Sequence, residues 1–380
     1  AVVQEYAFRQ RADRRNRSFV CSELGCSRYR ASELWGCRDH HDDCGHRRDL
    51  LSQLFRDKLL SLPFRIAYVI DPRFSGGTSA AVAAELREVS RTGRVRVHAI
   101  RSGMFGAQPV SPLIEATLAD AGLPLIWDAP EIAADLVILH NPLFLKRDRA
   151  LNTRIFARHM VVVTHENLLR PGGVEGFDAG HCLAVIDRAS LALRKSLAPI
   201  SAQNRATVSE WLAGRPTSGW GILAEDWPNI CDFAPLAPTP APADRRGRHS
   251  RPGFEKFPGL ADMDQCFPAH ARSNVILGAD TFLKDGPSRP HWRMLPYRSM
   301  PVPEFMTHLD FMVYFTSPRW RESFGRVLAE GVAAGKVVIS DPATAATFQG
   351  SVISAQPAEV DAIIAGFVQT PARYRDHVLQ

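Results

Sequence analysis

Two glutamates, Glu322 and Glu330, stand eight residues apart in the run Leu309–Pro342, LDFMVYFTSPRWRESFGRVLAEGVAAGKVVISDP. Eight residues make a little over two helical turns, so with Glu322 just ahead of a helix and Glu330 on it both carboxylates can face the same cleft. The run reads strand, loop, helix, strand. Ser323 can cap the helix, Gly335 can end it, and Lys336–Ser340 supplies the next strand. A helix that follows a parallel strand starts at the carboxyl edge of the sheet, where open α/β folds bind ligands. Its free N–H groups and roughly half a positive charge suit a diphosphate. Gly325 lets a ligand approach the first turn.

Other residue types could contribute. His140 in VILHNP and His165 in VVVTHEN each end an apolar run. At the carboxyl end of a parallel strand a histidine can bind substrate or orient a reacting hydroxyl; the alternative is a histidine that only caps the sheet edge. His165 is preferred, because Glu166, Asn167 and Gly172-Gly173 add polar and flexible groups beside it. Ser75-Gly76-Gly77-Thr78 joins a strand to a helix without the spacing of a dinucleotide fingerprint or a Walker A loop, which disfavours NAD binding and ATP hydrolysis. Cys21, Cys26, Cys37 and Cys44, with His40, His41 and His46, have spacings that match no common zinc finger, so an ordinary reduced extension is the preferred reading.

The elements that hold these residues follow a regular rhythm. Arg65–Asp71, Val95–Ile100, Leu123–Trp127, Asp135–His140 and Met160–His165 read as short strands, the first followed by an alanine-rich helix to about Ser90. Runs that are apolar on both faces belong to parallel sheets covered by helices. Ser201–Ala213 reads as a helix and Trp227–Phe233 as an extended stretch. Four prolines among residues 234–242 then make a stiff connection. Beyond it Asn274–Leu277, Phe311–Phe315 and Lys336–Ser340 are strands, while none is evident between Pro242 and Gly247. The chain therefore divides into an extension (1–60) ending in an amphipathic helix, an α/β domain (61–232), a linker (233–242) and a second α/β domain (243–380). A length of 380 residues suits this division.

With 45% hydrophobic and 23% charged residues, the composition excludes wholesale disorder. A net charge of +6 is too dilute for a nucleic-acid protein, but it is compatible with anionic small molecules or peripheral contact with an acidic membrane. No run is long enough to span a membrane, no secretory core follows Arg9–Arg17, and seven cysteines do not suggest a disulfide scaffold. The chain is read as cytoplasmic, with contact at the inner face of the membrane as an option. It opens on Ala1 and stops at Gln380, so either end can be a fragment boundary.

Glu322-Ser-Phe-Gly-Arg-Val-Leu-Ala-Glu330, followed by Gly-Val-Ala-Ala-Gly335, resembles the E-x7-E motif of GT-B glycosyltransferases, most closely the retaining family 4 enzymes. The resemblance implies two Rossmann-like domains facing a central cleft. The second binds a UDP- or GDP-linked sugar donor and the first binds a glycan or lipid-linked acceptor. It assigns the donor sugar to Glu322 and the ribose to Glu330, with Ser323, Phe324 and Gly325 also at the donor. Arg248-His-Ser-Arg-Pro-Gly-Phe-Glu-Lys256 is similar to the family's loop after the first strand of the second domain, so Arg248 and Lys256, with Arg251 as a further choice, are expected to neutralise the diphosphate. Gly76, Gly77 and Thr78 are similar to the family's cleft-facing glycine loop. His140 and His165 take cleft positions, His165 as the catalytic choice.

The implied activity is retaining sugar transfer in polysaccharide or glycoconjugate synthesis, with no cofactor and no metal. A non-catalytic or degenerate nucleotide-sugar-binding subunit is the alternative, favoured by the missing strand before Arg248. Asp262-Met-Asp264 has the D-x-D form of metal-dependent GT-A enzymes, but it stands after the basic loop and reads better as a solvated helix start. A sugar epimerase is disfavoured because no Tyr-x-x-x-Lys follows a dinucleotide loop. In many GT-B enzymes a last helix returns to the first domain; here it is expected at or beyond the end of the sequence.

Overall fold

The computed structural model describes residues 64–380, apart from 75, 216, 217, 232, 234, 286 and 287. The expected N-terminal extension, with its cysteines and histidines, lies outside the described residues.

Two parallel sheets carry the described chain. The first contains β1 (Ile66–Ile70), β2 (Val95–Ala99), β3 (Leu125–Trp127), β4 (Glu131–His140), β5 (Arg154–Thr164), β6 (Ser190–Pro199) and β7 (Gly221–Ile222), in the order β3-β2-β1-β4-β5-β6-β7. The second contains β8 (Arg245–His249), β9 (Ser273–Leu277), β10 (Trp292–Leu295), β11 (Phe311–Tyr314), β12 (Val337–Ser340) and β13 (Val352–Ser354), in the order β10-β9-β8-β11-β12-β13. Every ladder is parallel. Each sheet therefore includes the 3-2-1-4-5-6 order of a Rossmann-like fold, and the order reverses beside β1 and beside β8.

Strand periodicity explains the double-sided core. Ala67, Val69, Val137 and Leu139 pack on one face of the first sheet, while Ile66, Tyr68, Ile70, Leu136 and Ile138 pack on the other. In the second sheet Ile276, Phe311 and Val313 pack on one face, and Val275, Leu277 and Met312 on the other. Helices cover both faces, so strands such as β1, β11 and β12 are buried along their whole length and lack the alternation of a half-exposed sheet.

The expectation that no strand precedes Arg248 is corrected. β8 is the sequence Arg-Arg-Gly-Arg-His, and its three arginines hide it from any hydrophobicity pattern. Each cation has partners. Arg245 meets Asp310 at 2.8 Å, Arg246 meets Asp244 and Asp361 at 2.6 Å, and Arg248 donates to the carbonyls of Phe315 (2.9 Å) and Lys256. The described residues of Trp227–Phe233, expected to be extended, join no ladder, although the Trp227 ring packs into the first domain. β4 and β5 begin earlier than expected, at Glu131 and Arg154, because polar residues there edge the end of the sheet away from the cleft. Two helices, Val360–Gln369 and Pro371–Leu379, pack on the second sheet through Phe367 and Tyr374. No helix among the described residues is long and apolar enough to cross a membrane.

Gly335 ends the Arg326–Ala333 helix as expected, with φ of +67°. A Cβ there would lie 2.6 Å from the carbonyl oxygen of Leu236, whose own N–H donates to the Ala333 carbonyl at 2.8 Å. This turn pins the interdomain connection to the second domain. Gly335→Ala is expected to cost about 1–3 kcal/mol through left-handed strain plus the clash, measured as a lower midpoint in urea unfolding.

Candidate active site between the two domains

The second domain meets the first just ahead of the Arg326–Ala333 helix. Gly325 caps that helix at φ +87°, a conformation open to glycine. Ser323 does not cap it, which corrects the expected role. The left-handed turn at Gly325 carries Ser323 away from the helix and against the first domain. Its hydroxyl accepts from the Asn167 N–H at 3.1 Å, and its carbonyl accepts from the Ser201 hydroxyl. The Asn167 side chain donates to the Arg321 carbonyl at 3.1 Å. Asn204, 0% exposed, stands behind this contact: its side chain donates to the Glu166 carbonyl (3.0 Å) and the Asn167 side chain (3.2 Å), and its N–H donates to Ser201 (3.1 Å). Phe324 packs between Phe348 and the core of the first domain.

The two glutamates stand on either side of the helix start. Glu322 is 13% exposed and accepts from Lys256 Nζ at 2.6 Å and the Tyr314 hydroxyl at 2.7 Å. Burial pushes its carboxyl up, but Lys256, the Tyr314 hydroxyl and Arg251 outweigh that and hold it below the usual range. Glu330 lies 3.1 Å from His249 Nε2, without the alignment of a hydrogen bond, and 3.6 Å from Arg326 Nε. Arg326 reaches toward the first domain, where a Cβ on Gly77 would lie 3.9 Å from its Cδ. The glycine turn and the helix that carries Glu330 therefore face each other. Gly76 precedes the Gly77–Ser90 helix at φ +108°, and Thr78 accepts from the Asn141 side chain at 3.3 Å.

Arg248 is corrected from a loop position to a position inside β8. It is 1% exposed, and its guanidinium lies 4.2 Å from the Phe257 ring centroid and 4.8 Å from that of Tyr314. Burial lowers its pKa to about 10. It braces the Lys256 backbone from behind the site, and the loop that follows presents Arg251 and Lys256. Asp262 and Asp264 fall on the Leu260–Cys266 helix, where Asp264 makes a two-pronged ion pair with Arg289 at 2.6 and 2.8 Å, so the D-x-D pair is not arranged as a metal clamp.

His140 is also corrected. It is 2% exposed, stacks on Tyr68, and lies between the sheet and the Gly77–Ser90 helix instead of facing the cleft. Its Nδ1 is 3.0 Å from His165 Nε2, and its Nε2 is 3.6 Å from Glu85. His165 is 9% exposed, and burial lowers its pKa to about 4. Glu85, which the sequence reading passed over, accepts from the Tyr68 hydroxyl and from the Trp227 indole at 3.0 Å. Burial raises Glu85 to about 7 even with those two donors. Its place in an alanine-rich helix gave no sign of burial.

An interdomain cleft of about 340 Å³ opens beside Ser323, between the Glu166–Phe177 segment and a wall that includes Arg251, Glu255 and Trp320. Arg170 and Trp320 carry no motif and were missed, while Glu166 entered the sequence reading only as a polar neighbour of His165.

The fold has known counterparts. Anabaena HepE in complex with UDP and glucose matches with a TM-score of 0.56 at 14% identity, covering 83% of this chain and 93% of that chain. HepE in complex with UDP-glucose matches at 0.54 and 14%, covering 83% and 92%. The chain has the GT-B fold. The two Rossmann-like sheets are those of the GT-B fold, as the E-x7-E resemblance implied. No protein-family model and no curated protein matches the sequence.

The buried Glu85 sets a pH dependence. Its carboxyl binds a proton more tightly in the folded state, so it costs stability as pH rises from about 4.5 towards 7. The depressed histidines act in the opposite sense, favouring the folded state as pH rises through the same region. Glu85→Gln removes only the first effect. Relative to wild type, it is expected to gain on the order of 1–3 kcal/mol between pH 5 and pH 7.5, read by urea unfolding at both values.

Proposed function

We propose that this chain is a retaining glycosyltransferase that moves a sugar from a nucleoside diphosphate to an acceptor hydroxyl, in polysaccharide or glycoconjugate synthesis. The observation that carries the proposal is the placement of Glu322 and Glu330 around one glycine-capped helix start, with Lys256 on Glu322 and the Gly76-Gly77 turn opposite. A UDP-sugar is the first donor to test, because HepE, which shares the fold, has been seen with UDP and UDP-glucose.

In the reaction the bond from the sugar's anomeric carbon to the diphosphate breaks. The acceptor oxygen bonds to that carbon and passes its proton to the departing diphosphate oxygen, and the nucleoside diphosphate leaves. The chain's contribution is electrostatic. Lys256, Arg251 and the helix start stabilise the negative charge that grows on the leaving diphosphate, so no metal is needed for that purpose. Glu322, kept ionised by Lys256 and Tyr314, is suited to hold sugar hydroxyls. Glu330 is suited to the ribose hydroxyls. Arg248 fixes the Lys256 backbone and does not touch the donor. The non-catalytic alternative leaned on a missing strand before Arg248, and β8 fills that position.

Glu330→Ala is expected to weaken UDP binding by about tenfold, the loss of one good charge-assisted contact, read by calorimetry without metal. Glu322→Gln should lower kcat/KM for sugar transfer by about 10²-fold or more while leaving UDP affinity nearly intact. Product NMR should show retained anomeric configuration. Full transfer activity in Glu322→Gln, or inversion at the anomeric carbon, would sink the proposal.

A further inference from the structure

The cleft beside Ser323 has an unbalanced charge. Its lining includes Lys146, Arg170, Arg251 and Arg321 but only two carboxylates, Glu166 and Glu255, a balance of four cations against two anions. Arg251 is already paired with Glu255 at 3.2 Å. Lys146, Arg170 and Arg321 are exposed, and among the described residues none has a carboxylate within ion-pairing distance. Three unpaired cations around one concave space repel each other, and a bound anion would relieve that repulsion.

Two of the three, Lys146 and Arg170, stand on the domain opposite the donor residues. Arg251 and Lys256 follow β8 and stand with Glu322 on the nucleotide side. Lys146 follows β4 and Arg170 follows β5, so both belong to the first domain, and Arg321 reaches the same space from the second domain. The Trp320 ring ties the two walls together, with Arg170 at 5.7 Å and Lys256 at 5.0 Å from its centroid. Glu166 does not cancel the excess. Burial and Glu322 push its carboxyl up, so it carries its charge less readily than an exposed glutamate, although Lys256, Arg251 and Arg170 pull the other way.

We propose that the acceptor is anionic, a glycan bearing a carboxylate or a phosphate group that binds between Lys146, Arg170 and Arg321. This rests on the glycosyltransferase reading and names the substrate class that the reading leaves open. The negative group docks on these cations and brings a neighbouring hydroxyl towards the donor site. A neutral glycan has no such anchor.

The test is calorimetric titration of the full chain, with UDP present, using digalacturonic acid as a carboxylate probe, glucose 6-phosphate as a phosphate probe and cellobiose as a neutral probe. At least one anionic probe is expected to bind about tenfold more tightly than cellobiose, and which one binds names the anion. Lys146→Ala and Arg170→Ala should each weaken that probe by about fivefold, with UDP affinity changed by less than about twofold. Both positions are exposed, so neither substitution threatens folding. Equal affinity for cellobiose, no binding of any probe, or variants that weaken UDP more than the anionic probe would overturn the proposal. Anion selectivity in a chain that binds no UDP would instead remove the glycosyltransferase reading and leave the anion site standing.

Discussion

The contact of Ser323 with Asn167 and Ser201 is the constraint on which the site depends. Each domain alone could form its sheet, but the cleft exists only where the two sheets are held at a set distance. Hydrogen bonds do this with more directional precision than an apolar patch could, because a shift of an ångström breaks them. Asn204 makes the contact rigid by donating its side-chain amide to the loop that carries Glu166 and Asn167 and its backbone N–H to the Ser201 hydroxyl. Thr164 and the Ile200 N–H bind the remaining oxygen of Asn204 at 2.8 and 3.2 Å, so the amide is held on several sides. A buried amide this well satisfied cannot rotate without stranding polar groups.

Burying two arginines on the first strand of the second domain is the second constraint. Arg246 and Arg248 are both 1% exposed, and a buried cation without partners would unfold the sheet. The chain answers differently at each. Arg246 is met by two carboxylates. Arg248 is met by backbone carbonyls and two aromatic faces, which leaves its positive charge uncancelled by any direct ion pair. That residual field lies behind Lys256 and Tyr314 and favours the ionised form of Glu322, which already has Lys256 as its direct partner.

Much of the architecture was legible from the residues alone. The strands ending at Ile70, His140 and Thr164, and those around Val275, Met312 and Val338, are continuous apolar runs bounded by turns, and burial on both faces demands such runs wherever helices cover a parallel sheet. The helix bearing Glu330 and its glycine stop were legible for the same reason, since spacing and backbone freedom are local properties. β8 was not legible. Arginine reads as surface until its partners, Asp310, Asp244 and Asp361, are brought from as far as 115 positions away.

The sequence alone thus decided the pair of α/β domains, the helix that carries Glu330 with Glu322 just ahead of it, and the turn at Gly335, because each follows from periodicity or from a single residue's backbone freedom. Tertiary structure decided what each polar side chain is for. Ser323 became an interdomain clasp instead of a cap, Arg248 a buried brace behind Lys256, and His140 a core residue beside Glu85 and His165. The unpaired cations Lys146, Arg170 and Arg321, distant in the chain, became neighbours. Capping, pairing and desolvation depend on what lies within a few ångströms, and the fold sets that proximity between residues far apart in the chain.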